Sequence, residues 1–281
     1  MGGGVTMERA PAPREERPSR EERPFSRILD CRHGPMIVNE NDLGVGTALS
    51  LYGEWCEGEI ELLTKLVRPG DIVVDGGAHL GTHTIPLARS VGPQGAILSF
   101  EPQRIVFQAL SGNVALASLT NVHAFHAALG ESPGFVEVPV LDPEKPGSPM
   151  TVRLGDGIRG EPVPLVRLDS IEIHRLRLVK LDIEGMEEKA LRGASGLLGR
   201  FSPILYVECD KPEKEGSLMA YIHSLGYALF FHRPPVYRIE NYRRNRVNHH
   251  GAQRSENLLC LLGKDMMILD EIRDPYLEAL P

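Results

Sequence analysis

Residues 71–83 read DIVVDGGAHLGTH, and this stretch decides the fold. Its first half, Ile72 to Val74, is a short run of β-branched residues, as a strand buried on both faces requires. The turn Asp75-Gly76-Gly77-Ala78-His79-Leu80-Gly81 comes next, and GTHTIPLARSV beyond it reads as a helix. The glycines let the backbone turn sharply and approach a ligand with no Cβ in the way. Strand, glycine turn and helix together form the opening unit of a parallel α/β sheet.

Downstream the rhythm repeats. ILSFEP is followed by VFQALSGNVALA, then NVHAFHAAL, then LVKLDIEG with MEEKALRGASGLL, then PILYVEC with KEGSLMAYIHSLG. Strands alternating with helices predict an α/β, Rossmann-like sandwich with a mostly parallel sheet, and YALFFH with NLLCLLG predicts a terminal antiparallel β pair. Upstream, EGEIELLTKLV places Ile60, Leu63 and Val67 on one helical face and stops at Pro69-Gly70. The expected organisation is a disordered charged tail over 1–24, which repeats REERP at Arg14 and Arg20, and a cap with its helix over 25–70. A cofactor-binding catalytic domain is expected over 71–263 with insertions near 130–173 and 233–255, followed by an extension over 264–281.

The 281 residues are 42% hydrophobic and carry a formal net charge of −7, so nothing draws the whole chain to phosphate or acidic lipid. The four cysteines, Cys31, Cys56, Cys209 and Cys260, form no CxxC pair, and no apolar run is long enough to span a membrane. A reducing, cytoplasmic location is expected. The sequence leaves oligomeric state open, a homodimer included.

Ligands of an open parallel sheet bind beyond the carboxyl ends of its strands. Those ends carry Asp75, Glu101, Asp182 with Glu184, and Glu208. A dinucleotide site would need GxGxxG at Gly76, Ala78 and Gly81, with alanine where a pyrophosphate wants glycine, and Asp75 would repel the phosphates. S-adenosylmethionine has no phosphate and carries an ammonium and a sulfonium, so it suits an acid at this turn. Glu101 can accept from both ribose hydroxyls, and the following Pro102 suits a helix start.

These motifs, VDGGAHLGTHT, FEPQ, VRLDSI and LVKLDIEGMEEKALRGA, resemble in order the FkbM-type family of S-adenosylmethionine-dependent methyltransferases, over about Tyr52 to Leu262. The resemblance implies a class I methyltransferase fold and O-methylation of a hydroxyl on a sugar, polyketide or other small metabolite. Through YGEWCEGE it adds Glu54 to the cofactor set. That set is Glu54, Asp75, Gly76, Gly77, Ala78, His79, Gly81, Thr82, Glu101, Pro102, Ala127 and Asp182.

Strand alternation in LVKLDIE puts Lys180, Asp182 and Glu184 on one face, the expected catalytic group, with Asp182 where an acceptor oxygen approaches. Asp182 and Glu208 would hold Mg²⁺ if the reaction used a metal, but no spacing guarantees a third ligand and no firm metal site is assigned. The stretch RPPVYRIENYRRNRVNHHGAQR is the strongly basic part of the chain. It offers Tyr242, Asn245, Asn248 and His249, with Glu208, as acceptor contacts. The alternatives are an RNA methyltransferase gripping phosphates through 233–254, and a cofactor-binding protein without turnover.

Overall fold

The computed structural model describes residues 24–147, 160–210 and 216–280. The expectation of disorder over 1–24 falls on residues 1–23 outside that range, as does part of the expected 130–173 insertion.

The chain opens with an antiparallel hairpin, β1 (Ser26–Cys31) and β2 (Gly34–Asn39), then α1 (Val45–Tyr52) and α2 (Glu57–Leu66). Next come β3 (Ile72–Gly76), α3 (Thr84–Val91), β4 (Ala96–Phe100), α4 (Arg104–Leu116) and β5 (Val122–Phe125). Three short strands follow, β6 (Ala128–Leu129), β7 (Gly134–Val138) and β8 (Glu161–Val166). The second half runs β9 (Leu178–Leu181), α5 (Glu187–Arg192), α6 (Ser195–Phe201), β10 (Ile204–Glu208) and α7 (Gly216–Ser224). It closes with β11 (Ala228–His232), β12 (Asn257–Leu261), α8 (Ile268–Ile272) and β13 (Leu277–Ala279).

The main sheet has the order β13-β11-β12-β10-β9-β3-β4-β5. Strands β10, β9, β3, β4 and β5 are parallel, while β12 runs antiparallel between β10 and β11, the expected terminal pair. The extension adds β13 as an edge strand, which its sequence did not signal.

Alternation splits the core in two. Val74, Phe100, Val179, Leu181 and Val207 pack on the α5–α7 side, and Val73, Ile97, Leu178, Tyr206 and Leu259 pack against α2, α3 and α8. Both faces are thus covered, and this is why the central strands read as unbroken apolar runs. Strand β3 pairs with β4 on one side and β9 on the other, so the strand order reverses there and a crevice opens at its carboxyl end.

Two stretches depart from the sequence reading. NVHAFHAAL is not one strand: β5 ends at Phe125 and β6 joins β8 and β7 in a separate three-stranded sheet. Strand β9 stops at Leu181 rather than continuing to Glu184, because Glu184 and Gly185 take positive φ of 56° and 94° and turn the chain toward α5. Among the described residues no helix is long and apolar enough to cross a membrane.

Candidate functional site

The site is built on a buried ion pair. Asp75 and Lys180 are register partners on β3 and β9, so their side chains leave the sheet on one face. Lys180 Nζ lies 3.3 Å from Asp75 Oδ1 and 3.6 Å from Asp182 Oδ2, and it donates to the Gly77 carbonyl at 3.0 Å. Thr84 Oγ1 donates to the other Asp75 oxygen at 2.6 Å. Burial opposes the ammonium, but Asp75, Asp182 and Glu59 outweigh it and hold Lys180 firmly protonated. Asp75 is fully buried and faces Lys180 and Thr84, so it shapes the turn from beneath.

Above this pair the turn is tightly constrained. Gly77 has φ 72°, and a Cβ there would stand 1.8 Å from the Asp182 carbonyl oxygen. The Gly77 and Ala78 N–H groups both donate to the Phe100 carbonyl. His79 also has positive φ, and its N–H donates to Glu101 Oε2 at 2.9 Å, while the Gln103 N–H donates to Oε1 at 2.8 Å. Burial raises the Glu101 carboxyl to about 7, although the two backbone donors and Lys180 pull it down.

A cavity of about 840 Å³ opens over the turn. Of the expected cofactor residues, Gly77, Ala78, His79, Thr82, Glu101, Pro102, Ala127 and Asp182 line it. Asp75, Gly76 and Gly81 do not line it. Glu54 lies elsewhere: it accepts from Arg32 and from the Tyr242 N–H, both at 2.7 Å, and ties the hairpin to the basic stretch. The neighbouring Trp55 lines the cavity instead, as do Phe100, Leu129 and Met186, whose apolar surfaces suit a flat base. Four buried nitrogens in its walls, His79 Nδ1 and Nε2, His83 Nε2 and Gln103 Nε2, make no hydrogen bond among the described residues, although His83 Nε2 lies 3.2 Å from Glu59 Oε2. Such atoms await a polar ligand, and an adenosyl amino acid has the donors and acceptors to meet them.

A second cavity, about 1250 Å³, shares Trp55, His83, Asp182 and Glu184 with the first. Its walls add Glu59, Glu208, Asp210 and, from the basic stretch, His250, Gln253 and Arg254. Tyr242, Asn245, Asn248 and His249 do not line it. The Tyr242 hydroxyl donates to Asp30 at 2.8 Å and Asn245 Nδ2 to the Leu51 carbonyl at 3.3 Å. Asn248 Nδ2 donates to the Gly251 carbonyl at 2.7 Å, and the His249 N–H to the Tyr52 hydroxyl at 2.8 Å. Tyr242, Asn245 and His249 fasten the stretch to the hairpin and α1, and Asn248 ties it to itself, while its later residues form the mouth.

Asp182, Glu184 and Glu208 offer carboxylate oxygens that lie within 4.8 Å of one another, which is close enough to serve a single hard cation. Burial, then the negative charges of Asp182, Glu184 and Glu187, push the Glu208 carboxyl far up, so it holds a proton that it shares by hydrogen bond with Asp182.

Residues 75–229, more than half of the chain, match the family model described as the methyltransferase FkbM domain. The chain is 24% identical over 186 residues to methyltransferase 1 of Beauveria bassiana (strain ARSEF 2860), covering 58% of this chain and 74% of that protein. It is 28% identical over 156 residues to methyltransferase sdnD of Sordaria araneosa, covering 43% of this chain and 59% of that one. Among solved structures, methyltransferase FkbM of Methylobacillus flagellatus KT aligns with a TM-score of 0.49 at 20% identity, over 70% of this chain. This chain spans 45% of that structure's length.

Proposed function

The chain belongs to the FkbM methyltransferase family, and from that premise we propose that it transfers the methyl group of S-adenosylmethionine to a hydroxyl oxygen of a small metabolite. The observation that carries this reading is the meeting of the two cavities at Asp182, one suited to the donor and the other open to solvent and lined by hydrogen-bond acceptors. S-adenosylmethionine supplies an electrophilic methyl group on a positive sulfur. Glu101 accepts from the ribose hydroxyls while its backbone donors fix its orientation. Asp182 stands where the two cavities meet and aims the acceptor oxygen at the methyl carbon, since in-line displacement depends on that alignment. Lys180 holds Asp182 and the turn in place.

The basic stretch favours a small acceptor over RNA. Arg233 is engaged by Glu256 and Glu278, Arg238 by Glu61 and Glu54, and Arg243 by the carbonyls of Asp30 and Leu49. These guanidinium groups serve the protein's own packing.

The test is transfer of labelled methyl from S-adenosylmethionine to a panel of sugars, polyols and phenols, with total RNA as a comparison. On a hydroxyl probe that is methylated, Asp182→Asn is expected to lower kcat by about 100-fold, since the acceptor loses its orienting anion, with S-adenosylhomocysteine affinity within about threefold of wild type. Wild-type kcat in this variant would remove Asp182 from the reaction. Methylation of RNA with no small hydroxyl accepted would replace the reading.

A pH dependence also follows. Ribose hydroxyls donate to the ionised Glu101 carboxylate, so a protonated Glu101 must lose its proton when the ligand binds. Affinity for S-adenosylhomocysteine should therefore rise with pH and level off above about 7, falling by up to about tenfold per pH unit below that. Calorimetry between pH 5.5 and 8.5 measures this, and Glu101→Gln should flatten the profile. Affinity that falls as pH rises would contradict the assignment.

A further inference from the structure

Three side chains able to accept a proton line both cavities: His83, Asp182 and Glu184. Two of them are committed elsewhere. Asp182 contacts the Lys180 ammonium and hydrogen-bonds Glu208, and Glu184 belongs to the same carboxylate cluster. His83 is different. It sits just ahead of α3, is buried, and places Nε2 3.2 Å from Oε2 of Glu59 on α2, itself buried. The Glu59 carboxylate thus stands against one ring nitrogen at ion-pair distance, where it faces any positive charge that forms on the ring. Burial alone would raise Glu59, but contacts with His83, Ser255 and Lys180 outweigh it and bring the carboxyl to about 2, so Glu59 stays charged wherever the protein is folded.

We propose that His83, backed by Glu59, is the general base that takes the acceptor's proton; this rests on the hydroxyl-transfer reading above. As a lone pair of the acceptor oxygen forms the new O–C bond, the C–S bond of the donor breaks and its electron pair stays on sulfur, giving neutral S-adenosylhomocysteine. The hydroxyl proton passes to His83, whose positive ring then faces the Glu59 carboxylate, and later leaves to solvent. The other charged or titratable groups around this point are Cys56 at the start of α2, Lys180 on β9, Asp182 and Glu184 beyond it, and Glu208 on β10 with Asp210 after it. His79 and Glu101 line the donor side, and His250 and Arg254 of the basic stretch with Glu256 line the other.

The test combines a binding and a kinetic readout. His83→Gln is expected to keep S-adenosylhomocysteine affinity within about threefold while lowering kcat about 100-fold on a hydroxyl probe of the panel. At saturating S-adenosylmethionine, kcat/KM for the acceptor should lose its acid limb. Glu59→Gln, which keeps His83 in place, should lower kcat about tenfold with the acceptor KM unchanged. Wild-type kcat in His83→Gln or in Glu59→Gln overturns the proposal and leaves hydroxyl transfer standing. If wild-type protein binds S-adenosylhomocysteine but methylates no hydroxyl probe at any pH, hydroxyl transfer itself falls and the base assignment falls with it.

Discussion

Lys180→Met is expected to destabilise the protein by about 3–5 kcal/mol, the range for removing one partner of a buried ion pair. Methionine matches the length of the lysine stem and keeps most of its packing, so lost volume is a minor contribution. The effect comes from Asp75, which is completely buried and, among the described residues, would keep the Thr84 hydroxyl as its one side-chain partner. A buried carboxylate without its counter-ion must either protonate or draw in water, and both weaken the folded state. The loss is a large share of the roughly 5–15 kcal/mol that holds a typical domain together. A urea titration measures it, and Asp75→Asn combined with Lys180→Met should recover part of the loss because no orphaned charge remains. An unchanged midpoint in the single variant would show that the pair does not support the sheet.

Gly77→Ala is the second large effect. Two costs combine at this position. An L-residue at φ 72° is strained by about 1–2 kcal/mol, and the new Cβ would meet the Asp182 carbonyl oxygen at 1.8 Å. The obstacle is backbone, and the Asp182 N–H is bonded to the Gly76 carbonyl at 3.1 Å, so relief requires β3 and the loop after β9 to separate. That movement opens the floor of the first cavity. We expect a drop of more than about 3 kcal/mol and at least about tenfold weaker binding of S-adenosylhomocysteine, from strain added to overpacking. Gly251→Ala is the control: its φ is also positive, at 58°, but none of the described residues lies within 4 Å of the added Cβ, so the conformational cost of about 1 kcal/mol remains. Equal losses in the two variants would mean that the close approach to Asp182 is not what the glycine serves.

The central strands and the turn after β3 could be read directly from the chain because their constraints are local. A strand buried on both faces must be apolar along its length, and a backbone crossing within van der Waals contact of its neighbour must be glycine. The carboxylates at successive strand ends stood out against that apolar background. What stayed hidden depends on pairing between distant segments. Glu59 and His83 meet only because α2 packs beside α3, and neither residue carries a spacing signal. Trp55 turns into the cavity while the adjacent Glu54 turns away to Arg32 and the Tyr242 backbone. In the basic stretch the residue types suggested acceptor contacts, yet Tyr242, Asn245, Asn248 and His249 are used in hydrogen bonds within the protein. Composition marked the segment, but its direction across the surface was set by those bonds.

In the proposed site Glu101 is the residue that grips the donor. The most direct test is calorimetric titration of wild-type protein and Glu101→Ala with S-adenosylhomocysteine at pH 8, with NADH as the competing ligand class. We predict that wild type binds S-adenosylhomocysteine and not NADH, and that the variant binds at least about tenfold more weakly, the loss of one charge-assisted hydrogen bond. Equal affinity in the two proteins, or binding of NADH in place of S-adenosylhomocysteine, would contradict the account.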